Sequence, residues 1–475
     1  MPFNSFSYLA FLAASVTVYW LLPVRLRRTF VLLASLAFYA TWSVAFLAIP
    51  LLVSGVVYLV SRWMCAAPAS AKQRMWAGIG TLLVILVFFK YRDFALDNLN
   101  ALLVWMSARP RGFARTVAMP VGISFYTFEA IGYLIDVRQG RVKALPGFLD
   151  LCLFFLFWPN VTSGPIVRAR ELFPQLGFRA PFEPRFVFEG IDRIIWGLIQ
   201  KTVIANTLGV WVNEGFSKTA IPSTVDAWAV AIAFGLQIYF DFAGYSNMAI
   251  GAARLLGVHL PENFRQPYHA ATPAEFWARW HLSLSRWIRD YLFFPINAKY
   301  KGAPLSLYCS LLGVMAAVGL WHGADWNFVL WGAMHGLYLI LFRVYENARN
   351  TMPALTRSRL ASVGWRVLTL IGVTAAWVPF RAPNLRTAGA VLSGMFIRPG
   401  MVMTYNTTFY LFIAAVIAFC AVEPLLARKF EDGETSESRG LAWTRVLGRP
   451  LVYTCGLLLF MMFDQHDAQF IYFQF

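Results

Sequence analysis

The sequence predicts an all-α, polytopic membrane protein with room for roughly ten to thirteen membrane helices. Three observations predict it. Apolar residues make up 59% of the 475-residue chain and charged ones only 14%, with a mean hydropathy of +0.57. A soluble domain runs at about 45–50% and about 25%. Apolar runs succeed one another along the whole chain, separated by short basic interruptions. The aromatic complement of 18 Trp, 19 Tyr and 42 Phe suits helices flanked by interfacial belts. These figures exclude a disordered chain, a collagen, a disulfide scaffold and a cytosolic enzyme of this length. No internal repeat or low-complexity tract is present, so residues 1–475 read as one membrane domain. The missing repeat weighs against a transporter built from two related halves.

Charge gives the orientation. There are 41 Lys and Arg against 24 Asp and Glu, a net +17. Basic residues collecting in cytoplasmic loops account for most of it; the rest is available to an anionic ligand such as a phosphate-bearing donor or anionic lipid. The first apolar run, 6–22, has no Lys or Arg before it, so it lacks the basic start of a cleavable signal. Arg25, Arg27 and Arg28 follow it, which places the N-terminus outside and these arginines in the cytoplasm. The second run, 30–60, lies between basic flanks at Arg28 and Arg62 and is interrupted by Pro50, so an even number of short or tilted crossings is expected.

The run 303–342 contains no Lys or Arg, yet Lys299, Lys301 and Arg343 flank it. Equal flanks demand two crossings, and forty residues at ~1.5 Å each supply two passages of a ~30 Å core. The turn should fall at Trp321-His322-Gly323-Ala324-Asp325, near the outer face. Upstream, Trp277, Trp280, Leu284, Trp287 and Tyr291 repeat at 3,4,3,4 spacing. That predicts one amphipathic helix lying at the cytoplasmic interface, with Arg279 and Arg286 on its basic flank. Residues 428–449, with Glu431, Asp432, Glu434 and Glu437 among basic residues, read as a solvated connector.

Common catalytic signatures are missing: there is no G-x-S-x-G, H-E-x-x-H, P-loop or G-x-G-x-x-G. The five scattered cysteines form no C-x-x-C and read as small core hydrophobes. No metal-ligand spacing stands out among His259, His269 and His281, and neither a metal nor a permanently bound cofactor is expected. His322 is the strongest candidate, because it sits where little else can move a proton. It is either a packing residue or a general base. His281 is either an interfacial anchor or a second polar group aimed into the same cavity, whereas His335, four residues after Trp331, reads as structural. Asp241 is a buried carboxylate that must be paired or protonated.

Several motifs together resemble the membrane-bound O-acyltransferase family, nearest in pattern to its bacterial branch of alginate O-acetyltransferases and teichoic-acid D-alanyl transfer proteins. They are Glu262-Asn263-Phe264-Arg265-Gln266-Pro267-Tyr268, Phe276-Trp277-Ala278-Arg279-Trp280-His281-Leu282-Ser283, Arg289-Asp290-Tyr291 and Leu320-Trp321-His322-Gly323. Pro120-Val121-Gly122-Ile123-Ser124-Phe125, Ser163-Gly164-Pro165-Ile166, the stretch 240–247 and the terminal Phe470–Phe475 agree with it. The resemblance spans nearly the whole chain. It implies a ring of tilted helices with a central funnel, supplemented by re-entrant and interfacial helices. It also implies His322 as catalytic residue and His281 as the second family position, where an Asn or Asp can stand in related eukaryotic members, which implies support more than proton transfer. Pro295-Ile296-Asn297-Ala298 departs from the Pro-Leu-Gly-Gly loop common in relatives.

The resulting expectation is a multi-pass acyltransferase of a bacterial inner membrane with a periplasmic N-terminus. It would move acetyl from acetyl-CoA toward an exported polysaccharide, directly or through periplasmic SGNH/esterase-like proteins beside a polysaccharide synthase. Nucleic acid is not an expected partner. Asp241, Trp321, Asn263, Arg279 and Arg286 are the candidate substrate-binding residues. A flippase, a non-catalytic scaffold and a lipid-modifying acyltransferase are the alternatives.

Overall fold

The computed structural model describes residues 1–107, 118–218, 223–300, 305–351, 359–397, 400–434, 439–463 and 470–471. Lys301, Glu437, His466 and residues 472–475 of the terminal motif therefore lie outside the described residues. Among those described, helices alternate with short turns and no strand occurs, as the apolar periodicity requires. Four helices are long and apolar enough to cross a bilayer: Ala45–Ala66, Thr224–Leu255, Trp326–Ala348 and Leu360–Arg381. Phe6–Leu21, Ser306–His322, Thr407–Glu423 and Gly448–Phe463 are shorter apolar helices. In Thr224–Leu255 83% of the most apolar window is buried, against 28% in Ala45–Ala66, which marks it as a core helix, not a lipid-facing one. The chain is an all-α, multi-pass membrane protein.

Contacts divide it into two compact units. One comprises Met1–Ile191 with Ala249–Pro261. Here the run 30–60 falls on two helices, Val24–Ala40 and Ala48–Ala66, of which only the second belongs to a helix long and apolar enough to cross a bilayer. Pro50 falls in the first turn of the second helix, where its missing N–H breaks no intrahelical bond. Two of the family-like motifs meet in this unit. Gly122 has φ +76°, and a Cβ there would stand 2.2 Å from the Val161 carbonyl oxygen, so only glycine fits. The buried Glu129 carboxylate accepts the Asn160 side-chain N–H at 3.1 Å and the Val167 backbone N–H at 3.0 Å, which pins the segment leading through Ser163-Gly164-Pro165.

The other unit comprises Asp192–Met248 with Glu262–Phe475. Its organising feature is the expected hairpin, Ser306–His322 followed by Trp326–Thr351. Glycines let the two backbones touch. A Cβ on Gly319 would lie 2.0 Å from the Phe328 carbonyl oxygen, and one on Gly332 2.1 Å from that of Met315. Small residues at a helix seam allow this approach in an apolar environment. Gly319→Val should therefore push the helices apart and cost about 1–3 kcal/mol by overpacking. Thermal unfolding of the detergent-solubilised variant checks it, and an unchanged midpoint would refute the seam.

Three local expectations are corrected. Residues 277–291 do not form one interfacial helix. The chain makes Pro273–Trp277, turns, and restarts as Leu282–Ile288. The break arises because backbone groups pair outside the helix: the Arg265 N–H donates to the Arg279 carbonyl and the Leu282 N–H to that of Asn263, both at 2.9 Å. Trp280, Leu284, Trp287 and Tyr291 are buried, so the aromatic stripe packs inward instead of anchoring at a surface. The polar stretch 428–449 is helical to Glu434 and again from Arg439. Arg, Lys, Glu, Leu and Ala on either side favour helix despite Gly433 and Gly440, and no Pro falls within 428–449. Cys152 and Cys420 are buried as expected, whereas Cys65, Cys309 and Cys455 are exposed. In a membrane protein an apolar run faces outward as readily as inward.

Candidate active site

All seven candidate site residues lie in the second unit. Asp325 shapes the hairpin tip, its carboxylate accepting the Asn327 N–H at 2.8 Å, while the Asn327 side chain donates to the Ala382 carbonyl at 2.8 Å. This holds His322 at the C-terminal end of its helix, where it is only 4% exposed. Aromatic rings surround it: Trp321 at 4.8 Å, Trp331 at 5.0 Å and Phe380 at 5.4 Å between ring centres, each roughly edge to face. Gly323 closes the motif for a packing reason, since a Cβ there would run into the Phe328 ring at 2.0 Å.

Trp321 links the two histidines. Its ring stands 6.4 Å from that of His281, which is fully buried. His281 occupies the break before Leu282–Ile288 with φ +43°, a left-handed conformation uncommon outside glycine. Its Nδ1 lies 3.0 Å from the Asn263 side-chain oxygen, which also accepts the Ser283 hydroxyl at 2.9 Å and the Ser283 backbone N–H at 3.4 Å. The Asn263 amide nitrogen donates to the Ser246 hydroxyl at 3.1 Å. A backbone N–H can only donate, so the Asn263 oxygen must face Ser283 and His281, and His281 Nδ1 must carry its proton. In the neutral ring Nε2 is then a lone-pair acceptor. It is buried, with no hydrogen-bond partner among the described residues.

Asn263 is accordingly a positioning residue for His281, its side-chain groups spent on that network. Asn263→Ala should leave His281 free to adopt the other tautomer and lower activity by about 10- to 100-fold, the range for removing an orienting partner of a functional histidine. Steady-state rates with the conservative Asn263→Gln alongside would check this, and full activity in the alanine variant would overturn the assignment.

Asp241 is paired, as a buried carboxylate must be. Lys201 Nζ lies 2.5 Å from one oxygen and the Ile471 N–H donates to the other at 2.8 Å. A close backbone crossing sets this up: a Cβ on Gly244 would lie 2.7 Å from the Gly197 carbonyl oxygen. Lys201 follows Gly197 by one turn and Asp241 precedes Gly244 by nearly one. Next to Asp241, the Phe242 ring meets His281 edge-on at 4.7 Å. Arg279 and Arg286 are half-buried and tied both to their own segment and to residues 262–265. Arg279 pairs with Glu275 at 2.7 Å, and Arg286 donates to the Leu282 and Glu262 carbonyls at 3.2 and 3.4 Å. No group of three or more His, Cys, Asp or Glu among the described residues is arranged to hold a metal.

Residue reasoning passed over three members of this neighbourhood. His335 is buried between Phe276, Trp277, Trp331 and Trp377, with ring centres 4.9–6.3 Å away. Trp331 stacks on Trp377 at 6.0 Å. The i,i+4 spacing of Trp331 and His335 looked like ordinary packing, and Trp377 belongs to a helix distant in sequence.

The family model of the membrane-bound O-acyltransferase family matches residues 137–380. The chain is 36% identical to the "Probable alginate O-acetylase" of Pseudomonas putida over 99% of both chains. It is 35% identical to the peptidoglycan O-acetyltransferase of Helicobacter pylori over 78% of this chain and 73% of that one. It is also 30% identical to the teichoic acid D-alanyltransferase of Streptococcus thermophilus over 49% of this chain and 59% of that one. With a buried histidine pair in a multi-pass helical membrane protein and these relatives along its length, the chain belongs to the membrane-bound O-acyltransferase family and is a membrane O-acyltransferase.

Proposed function

We propose that this acyltransferase takes acetyl from acetyl-CoA on the cytoplasmic side of a bacterial inner membrane and delivers it to hydroxyl groups of an exported polysaccharide. The observation that carries the reading is the pair of buried imidazoles on either side of Trp321, one of them ending the hairpin helix. The names of the relatives differ in acceptor and agree on acyl transfer, and the O-acetylases among them match the most of this chain.

In the direct mechanism His322 takes the proton of the acceptor hydroxyl as its oxygen adds to the thioester carbonyl. The tetrahedral adduct then expels the thiolate, which recovers the proton from the imidazolium. The reacting hydroxyl has one proton, which goes to His322, so the lone pair on His281 Nε2 accepts a hydrogen bond from a neighbouring hydroxyl of the acceptor and so orients it; a lone pair does not stabilise an oxyanion. In a relay, the same steps acetylate a hydroxyl of a periplasmic SGNH/esterase-like partner, which completes the transfer beside the polysaccharide synthase. Trp321 would confine the acetyl group between the histidines. Arg279 and Arg286, half-exposed on one segment, are the groups offered to the donor phosphates.

Inside-out membrane vesicles given acetyl-labelled acetyl-CoA are expected to accumulate label in lumenal polymer or partner protein. They should discriminate against long acyl chains. Label that stays on CoA in complete vesicles, or equal use of a long-chain donor, would reject the reading.

A further inference from the structure

The helix that follows His281 and the helix that ends at His322 do not close fully on each other. Between them lies a cavity of about 120 Å³. Leu284 and Ile288, on Leu282–Ile288, form one side; Val314, Met315 and Val318, on Ser306–His322, form the other. All five side chains are buried, and Val318 precedes His322 by one helical turn. The wall is almost wholly apolar. An apolar cavity of about 150 Å³ stays dry and takes up hydrocarbon, so water is not its natural occupant.

The surroundings indicate what is. The cavity is open, and Leu339 of Trp326–Ala348 stands at its edge. Only 28% of the most apolar window of that span is buried, and Leu337 and Leu341 on it are about half exposed, as side chains facing bilayer hydrocarbon are. Arg289 also lines the opening, with its side chain 53% exposed. It meets Asp290 through Nε at 2.8 Å and Nη2 at 3.4 Å, which leaves Nη1 without a hydrogen bond among the described residues. An apolar slot in a lipid-facing surface, with a guanidinium at its lip, matches a molecule that carries a hydrocarbon chain and a phosphate.

We propose that a phospholipid binds here, one acyl chain in the cavity and its phosphate on Arg289, as a fixed part of the fold and not as a substrate. The inference rests on the reading that His281 and His322 serve one transfer. The chain is then a wedge between the two elements that carry them. Close-packed interiors pass strain on, and an empty slot lets its walls move together. The bound lipid therefore sets the separation of the imidazoles, and transfer depends steeply on that separation.

The detergent-solubilised protein, given a phospholipid with a diazirine in one acyl chain and then illuminated, tests this. Label is expected on residues 284–293 and 311–318 above every other lipid-facing helix, and excess plain phospholipid should remove it. The diacylglycerol with the same chain, which lacks the phosphate, should label about tenfold less, and so should the phospholipid on Arg289→Gln, the worth of a hydrogen bond to a charged group. Val314→Trp, which fills the slot, should abolish the label; competition on the parent protein tests the site without any variant. Stripping the lipid should lower kcat by up to about 10²-fold, with recovery when phospholipid is returned. Label spread evenly over the lipid-facing helices overturns the proposal. Equal labelling by the diacylglycerol does so too, as does displacement by a long-chain acyl-CoA but not by phospholipid. Full kcat after complete stripping overturns the wedge. Labelling is read without any acyl transfer, so its failure leaves the acetyl reading standing, and absent transfer in lipid-replete protein leaves the lipid site standing.

Discussion

Cells carrying His322→Ala should export a polymer depleted of acetyl groups, with the transfer rate down by about 10²- to 10⁴-fold, the usual contribution of a positioned general base. The site explains why no neighbour would substitute. His322 is surrounded by Trp321, Trp331 and Phe380, none of which accepts a proton. His281 is held by Asn263 across the Trp321 ring and cannot swing in without breaking that network. The loss should be in catalysis and not in folding, because the hairpin is held by its glycine seam and by Asn327. Acetyl content of the polymer, with the amount of protein in the membrane as control, decides the matter. Wild-type acetylation by a normally abundant variant would remove His322 from the mechanism.

Lys201→Met should destabilise the protein by about 3–5 kcal/mol, the cost of leaving a buried carboxylate without its cation. The Lys201 and Asp241 side chains are 4% and 2% exposed, so water cannot replace the lost partner. The penalty spreads, because Asp241 also receives the Ile471 N–H and Phe470 stacks on Tyr245 at 4.6 Å. Release of this C-terminal segment should accompany the loss. The double variant Lys201→Met/Asp241→Leu should recover much of the stability, since a buried pair and well-packed apolar residues are often comparable. Thermal unfolding in one detergent for all three proteins measures it. A single variant as stable as the parent would show that the pair contributes nothing.

What could be read from the sequence follows from what sets each feature. The hairpin was legible because the cost of placing Lys or Arg in a bilayer empties 303–342 of them, and that bias is local to the run. The need to pair Asp241 was legible for the same reason, but Lys201 was not nameable, since the Gly197–Gly244 crossing that joins them exists only in three dimensions. The break at His281 went unseen because periodicity describes side chains. The competing bonds come from the backbone of Asn263 and Arg265, well upstream. His281, His322 and Asn263 stand out as candidates in the sequence, but that Asn263 meets His281 Nδ1 at 3.0 Å is visible only in the structure. The indoles of Trp331 and Trp377 resemble core in any linear reading, and only the lack of an acceptor for their N–H groups among the described residues distinguishes them.

The left-handed backbone at His281 limits which residues can occupy that position before any chemistry is considered. At φ +43° and ψ +56°, a β-branched side chain collides with its own peptide group, whereas Asn, Asp and Gly fit. Substitutions there thus fall into two kinds. Asn preserves the turn and removes the imidazole, so it reports on the histidine's function. Val or Ile disturbs the turn itself and with it the hold of Asn263. On this view the backbone defines a short alphabet for the site, and the reaction selects histidine from within it.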